Sequence, residues 1–81
     1  MKYSFTPRFI RSYHNFSQAI QKKFDKQLNY LLDDIKHPSL KAKRFDEERG
    51  VWQARVDRSM RFYFVIQDET YILPDIQRHA K

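Results

Sequence analysis

From Gly50 onward, apolar and polar residues alternate with period two, and that alternation predicts most of a sheet. Trp52, Ala54 and Val56 fall on one face of the first run, with Gln53, Arg55 and Asp57 on the other. In the second run Phe62, Phe64 and Ile66 sort against Arg61, Tyr63 and Val65. Asp57, Arg58 and Ser59 interrupt the pattern, which predicts an antiparallel hairpin. Asp68 and Glu69 mark the next turn. Tyr71 to Gln77 then reads as a third strand, with Ile72 and Ile76 on the core-facing parity and Tyr71, Leu73, Asp75 and Gln77 on the other. Carried on, this parity sets His79 on one face with Arg55 and Arg61. A bulge at Pro74, which has no N–H for a ladder, would flip it.

Upstream the period changes. Tyr3 to Phe5 alternates briefly, as an edge strand does, and Thr6 followed by Pro7 reads as the start of a short helix through about Tyr13. Asn15, with Gln18 three residues on, or else Ser17, caps a second helix. There Phe16, Ile20, Phe24, Leu28, Leu31, Leu32 and Ile35 recur at steps of three and four, and the helix is expected to end at His37 and Pro38. Ser39 to Arg44 is a basic connector. Phe45 begins a short strand that turns at Arg49 and Gly50, where the chain's one glycine suits a positive φ. The order is strand, two helices, then three or four antiparallel strands: an α+β fold, one domain over residues 1–81, with the helices on one face of a small curved sheet.

Composition agrees with a folded chain. Its 81 residues are 41% hydrophobic and 16% aromatic, too apolar for disorder and enough for one modest core. There is no cysteine, which excludes disulfides and thiolate metal sites and fits a reducing cytosol. No apolar run is long enough to cross a membrane, and Lys2 to Pro7 lacks the apolar stretch of a signal peptide, so a cytoplasmic protein with no membrane partner is expected. Sixteen Lys and Arg against ten Asp and Glu give a net charge of +6. Such a chain attracts anionic partners, of which nucleic acid is the commonest; an acidic protein or an anionic surface has the same charge logic. His14 and His37 read as surface or helix-end residues, and with no histidine pair at helical ligand spacing and no cysteine a zinc site is not expected.

The order of elements, with G-V-W at Gly50, R-V at Arg55, M-R-F-Y-F at Met60 and the histidine at 79, resembles the RelE/ParE superfamily of toxins, and YoeB-like members most. In those ribosome-dependent messenger-RNA endonucleases, a functional Arg stands nine residues after the Trp of G-x-W and a functional His eighteen residues further on; Trp52, Arg61 and His79 match both spacings. The resemblance implies that Arg61 binds phosphate and His79 is catalytic. It also implies a type II toxin held by an acidic, partly disordered antitoxin, with ribosome and mRNA as further partners and neither metal nor cofactor. Two positions depart from the pattern: Lys41, Ala42 and Lys43 stand where YoeB-like proteins have a glutamate, and Ala80 stands where a tyrosine often follows the histidine. RelE relies instead on lysines and arginines, a part Lys41 and Lys43 could take. ParE-like relatives share the fold and poison DNA gyrase, so a gyrase inhibitor or a non-catalytic binding module is the alternative.

Cleavage by the RNA's own 2′-hydroxyl needs a base for that proton, a cation beside the phosphate and an acid for the departing 5′-oxygen. Guanidinium, permanently charged and able to grip two oxygens, suits Arg61; imidazole, which exchanges protons near neutral pH, suits His79. Lys43, Glu47 or the ribosome are candidates for the second proton-transfer group. Arg55, Lys41, Lys43, Arg44 and Arg58 are expected to add phosphate contacts, and Tyr63 or Tyr71 to stack on an unpaired base.

Overall fold

The computed structural model describes residues 1–79. Its elements are β1 (Lys2–Phe5), α1 (Pro7–His14), α2 (Gln18–Asp33), β2 (Lys43–Asp46), β3 (Val51–Arg55), β4 (Met60–Gln67) and β5 (Thr70–Arg78). This is the expected α+β order, with four strands after the helices.

The helix caps follow from short polar side chains. Thr6 Oγ1 accepts the Phe9 N–H at 3.1 Å, and Pro7 fills the first position of α1, where its missing N–H is not needed. Ser17, not Asn15, caps α2, accepting the Ile20 N–H at 3.3 Å. Asn15 is already used as the end of α1, where its N–H donates to Ser12 O at 3.1 Å. The second helix stops at Asp33, short of the His37–Pro38 end expected from periodicity. Asp34 ends it: its backbone is extended, and its carboxylate accepts the Lys36 N–H at 2.9 Å in an Asx turn that competes with helix continuation. Ile35 therefore packs on the core from a turn rather than from the helical stripe.

The five strands lie in the order β1-β5-β4-β3-β2; β1 runs parallel to β5 and the remaining neighbours are antiparallel. Both helices cover one face. Phe24 of α2 meets Phe62 edge-on at 5.2 Å and Phe9 of α1 at 5.1 Å, and Phe5 stacks on Phe9 at 4.8 Å. Phe62, Phe64, Leu40, Met60 and Leu73 are wholly buried around them. Each such side chain contributes roughly 1.5–3 kcal/mol by leaving water.

Register fixes which residues share the other face. Trp52 lies opposite Phe64 and Ala54 opposite Phe62 on the core side; Gln53 lies opposite Tyr63 and Arg55 opposite Arg61 on the helix-free side. On β5 the ladder jumps, because Tyr63 pairs with Asp75 and Val65 with Ile72, leaving Leu73 and Pro74 together against Phe64. Proline's missing N–H makes this bulge inexpensive. The parity expected for the third strand consequently holds only beyond Pro74. Tyr71 and Leu73, assigned from sequence to the helix-free side, are 5% and 0% exposed in the core, while Ile72 turns away beside Val65. Ile76 stays in the core, and Gln77 lies opposite Arg61, as parity requires for His79 to follow on the same side. Ile66, expected inside, is 46% exposed near the end of β4.

Candidate nucleic-acid interface

The connector between α2 and β2 is held by a buried polar clamp. Gln27, 2% exposed on α2, donates through Nε2 to Ser39 O at 3.0 Å and Arg55 O at 2.9 Å, while Ser39 Oγ donates to Gln27 Oε1 at 2.9 Å. The Arg55 N–H donates in turn to Leu40 O at 2.8 Å. His37 closes the loop: its Nδ1 accepts the Ser39 N–H at 3.1 Å and its ring stacks on Tyr30 at 3.8 Å. Leu40 is wholly buried beneath, and Lys41 adopts φ 45°, a left-handed conformation that costs a lysine roughly 1 kcal/mol. The connector thus reaches the sheet at a fixed height, and Lys43 enters β2 opposite Gln53.

Arg55 and Arg61 sit directly across from each other on β3 and β4, an unfavourable juxtaposition of like charge. Arg61 is 8% exposed, and its Nη1 donates to the carbonyls of Asp57, Arg58 and Met60 at 2.8, 3.3 and 3.0 Å. Those carbonyls neutralise part of its charge and fix one edge of the guanidinium. The same turn is braced by Asp57, whose Oδ1 accepts the Ser59 and Met60 N–H groups at 2.9 Å each and whose Oδ2 lies 3.3 Å from Lys23 Nζ. Partial burial pushes the Asp57 carboxyl up, but the Ser59 and Met60 N–H groups and the Lys23 ammonium outweigh it, so it titrates below the ordinary carboxylate range. The His79 N–H donates to Ser59 O at 2.6 Å, so one turn positions both Arg61 and His79.

Lys41, Lys43, Gln53, Ala54, Arg55, Arg61 and His79 line one cavity of about 260 Å³. Five of the seven site residues expected from sequence are therefore brought together: Lys41, Lys43, Arg55, Arg61 and His79. The other two are not. Arg44 pairs with Trp52 and lays its guanidinium 5.1 Å over that ring on the core-side parity, because Lys43 and Arg44 alternate across the sheet. Arg58 is exposed in the β3–β4 turn and lends the arrangement only its carbonyl. Arg61, expected to bind phosphate, is mostly buried at the wall of this cavity. Tyr71, a suggested stacking residue, is in the core against Phe64. Glu47 lies exposed in the β2–β3 turn, outside the residues that line the cavity. Ala80, which departs from the resembled pattern, lies outside the described residues.

Sequence reasoning missed Gln53 as a lining residue and Gln27 as the clamp. Gln27 carried a signal: a polar residue three positions after Phe24 and four before Leu31 interrupts the apolar stripe where burial is expected. Among the described residues, no group of three His, Cys, Asp or Glu side chains could hold a metal ion. A second hollow, about 310 Å³ between α1, α2 and β1, is lined mainly by Phe5, Phe9, Tyr13 and Phe24 and shares no residue with the basic cavity.

No protein-family model matches the sequence, and neither does any curated protein. Solved structures do match. The YoeB/ParE toxin from Agrobacterium tumefaciens superposes with a TM-score of 0.83 at 15% identity, over 99% of this chain and 100% of that one. A chain of the YoeB-YefM complex from Staphylococcus aureus gives 0.81 at 15% identity, over 99% and 98%. One from the E. coli RelBE toxin-antitoxin complex gives 0.74 at 12%, over 99% and 98%. With element order and overall shape shared from end to end at such low identity, the chain has the fold of the RelE/ParE toxin superfamily.

Proposed function

We propose that the protein is the toxin of a type II toxin-antitoxin pair and that it cuts messenger RNA on the ribosome. The observation that carries this reading is the convergence of Lys41, Lys43, Arg55 and Arg61 with His79 around one cavity. Four cations in one hollow suit a phosphodiester. Attack by the 2′-hydroxyl forms the O2′–P bond and breaks the P–O5′ bond, leaving a 2′,3′-cyclic phosphate and a 5′-hydroxyl. One proton must leave the attacking oxygen and one must reach the departing oxygen. Arg61, held by one edge, offers its remaining N–H groups to a non-bridging phosphate oxygen, and Arg55 and Lys43 add charge from the same face. His79 is the proton carrier, and Lys41, Lys43 or a ribosomal group completes the exchange. An acidic, partly disordered antitoxin is the expected partner, since it would neutralise the exposed cations and fold on them. This chemistry belongs in the cytoplasm.

One observation favours a second reading. Among the described residues no carboxylate lines the cavity, which suits a module that acts by contact, such as a ParE-like inhibitor of gyrase. Expression from a tightly controlled promoter, with primer extension on cellular messages, separates the two. Wild type should produce cuts inside translated reading frames, and His79→Ala and Arg61→Ala should abolish them. Arg61 also braces a turn, so folding of that variant is checked by circular dichroism; His79 is exposed. Growth arrest with intact messages would overturn the nuclease and support the contact reading.

A further inference from the structure

Phe45 is the extra residue of a bulge. Arg44 lies opposite Trp52 and Asp46 opposite Val51, so Phe45 has no partner in the ladder. It is 58% exposed and meets Tyr63 at 5.1 Å and 63° on the helix-free face. Neither ring belongs to the hydrophobic core. The two line a cavity of about 330 Å³ with Arg8, Arg49, Asp75 and Gln77 among its other walls. That cavity adjoins the basic one along the cross-strand pair Gln53 and Tyr63, where Gln53 Nε2 donates to Tyr63 Oη at 3.3 Å. Tyr63 stands two residues along β4 from Arg61, roughly 7 Å away.

We infer that the Phe45–Tyr63 pair is a stacking subsite for one unpaired base of a single-stranded RNA, between two phosphate-binding groups of cations. The inference rests on the proposed nuclease reading for its substrate. With a phosphate at Arg61 and Arg55, the adjoining base lies on the aromatic ledge. The next phosphate then comes to Arg8 and Arg49, whose side chains are 69% and 83% exposed. Arg8 Nε holds Asp75 at 3.3 Å and Arg49 Nε lies 3.8 Å from Asp46, yet each guanidinium keeps further donors for phosphate oxygens. Asp75 offers little repulsion: it also accepts from Ser12 Oγ, the Ile76 N–H and Gln77 Nε2. Rings set between two groups of cations repeat the alternation of base and phosphate along one strand, a spacing that an acidic peptide has no chemical reason to keep, so single-stranded nucleic acid is the favoured occupant.

The test uses the purified full chain and a fluorescent 2′-O-methyl RNA oligonucleotide, which blocks attack by the 2′-oxygen. Its affinity is compared by anisotropy with that of the same strand carrying an abasic residue. Wild type should favour the base-bearing strand by roughly tenfold, the worth of one base stacked on an aromatic ring. Phe45→Ala should erase this preference without changing the slope of affinity against salt, and Phe45→Trp should restore it. An equal preference in Phe45→Ala, or no binding of either strand by wild type, overturns the subsite. Binding of an acidic peptide that depends on Phe45 while the oligonucleotide does not also overturns it, in favour of a protein contact. Message cutting by wild type and its loss in His79→Ala are scored separately. Cutting with no Phe45-dependent base preference sinks only the subsite; base preference with no cutting sinks only the nuclease.

Discussion

Gln27→Leu removes the clamp that sets the connector against the sheet. The leucine is close in size and apolar, so cavity and transfer effects are small and polar loss dominates. Two carbonyls, Ser39 O and Arg55 O, lose their Nε2 donor, and Ser39 Oγ loses its acceptor. An unpaired buried group costs about 1–3 kcal/mol, but Ser39 is itself exposed and water can reach its oxygens. Arg55 O, facing α2 beside a residue only 2% exposed, cannot be rehydrated so readily. The net loss is about 2 kcal/mol, a large share of the roughly 4–12 kcal/mol expected for a chain of this size. Thermal unfolding followed by Trp52 fluorescence should show a melting temperature lower by roughly 8–16 °C. A drop of less than about 2 °C would refute the claim that these hydrogen bonds hold the connector. Gln27→Glu sharpens the test. A carboxyl facing two carbonyls is held protonated, so its pKa in the folded state rises above the unfolded value of about 4.3. Its stability deficit should therefore grow as pH rises above about 4.

Asp57 carries the opposite sign. Its carboxyl is held below its unfolded value, so the stability it adds is present above about pH 4 and is lost as pH falls through the folded value. Acid titration of stability should be shallower in Asp57→Asn than in wild type; identical profiles would show that the turn does not depend on this charge. Arg44→Ala should cost about 0.5–1 kcal/mol of stability through its contact with Trp52, measured by urea denaturation. Its oligonucleotide affinity should keep the wild-type salt slope, whereas Lys43→Ala should reduce that slope by about one; equal loss in both would place Arg44 at the binding face after all.

The parts of the fold legible in the sequence are those where period and chemistry agree. Trp52, Ala54, Phe62 and Phe64 alternate cleanly with polar neighbours, and the structure pairs them as that alternation requires. Tyr71, Ile72 and Leu73 are consecutive apolar residues, so period two has no phase there; only the bulge at Pro74, set by pairing with β4, decides which two are buried. The end of α2 is ambiguous in the sequence for a related reason. Ile35 continues the apolar spacing whether it lies in a helix or in a turn beneath which the core continues. Lys43 and Arg44 are alike in composition, and only the registration of a four-residue strand sends them to opposite faces. The spacing of Arg61 was visible, but its burial was not, because the three carbonyls that receive it are arranged by backbone geometry in the turn.

The pairing of β1 with β5 has a kinetic consequence. Lys2 to Phe5 find their partners only at Thr70 to Leu73, and β5 stands between β1 and β4 in the sheet. Until those residues have been synthesised, the first strand and α1 lack the surface that supports them, so the chain cannot fold stepwise from its beginning. Closing a loop of that length makes the docking of β5 the event on which β1 and α1 wait, while the β2–β3 and β3–β4 hairpins pair locally. Interrupted translation products that lack β5 would be inert and readily degraded, and the basic cavity, whose His79 follows that strand, would come into being all at once.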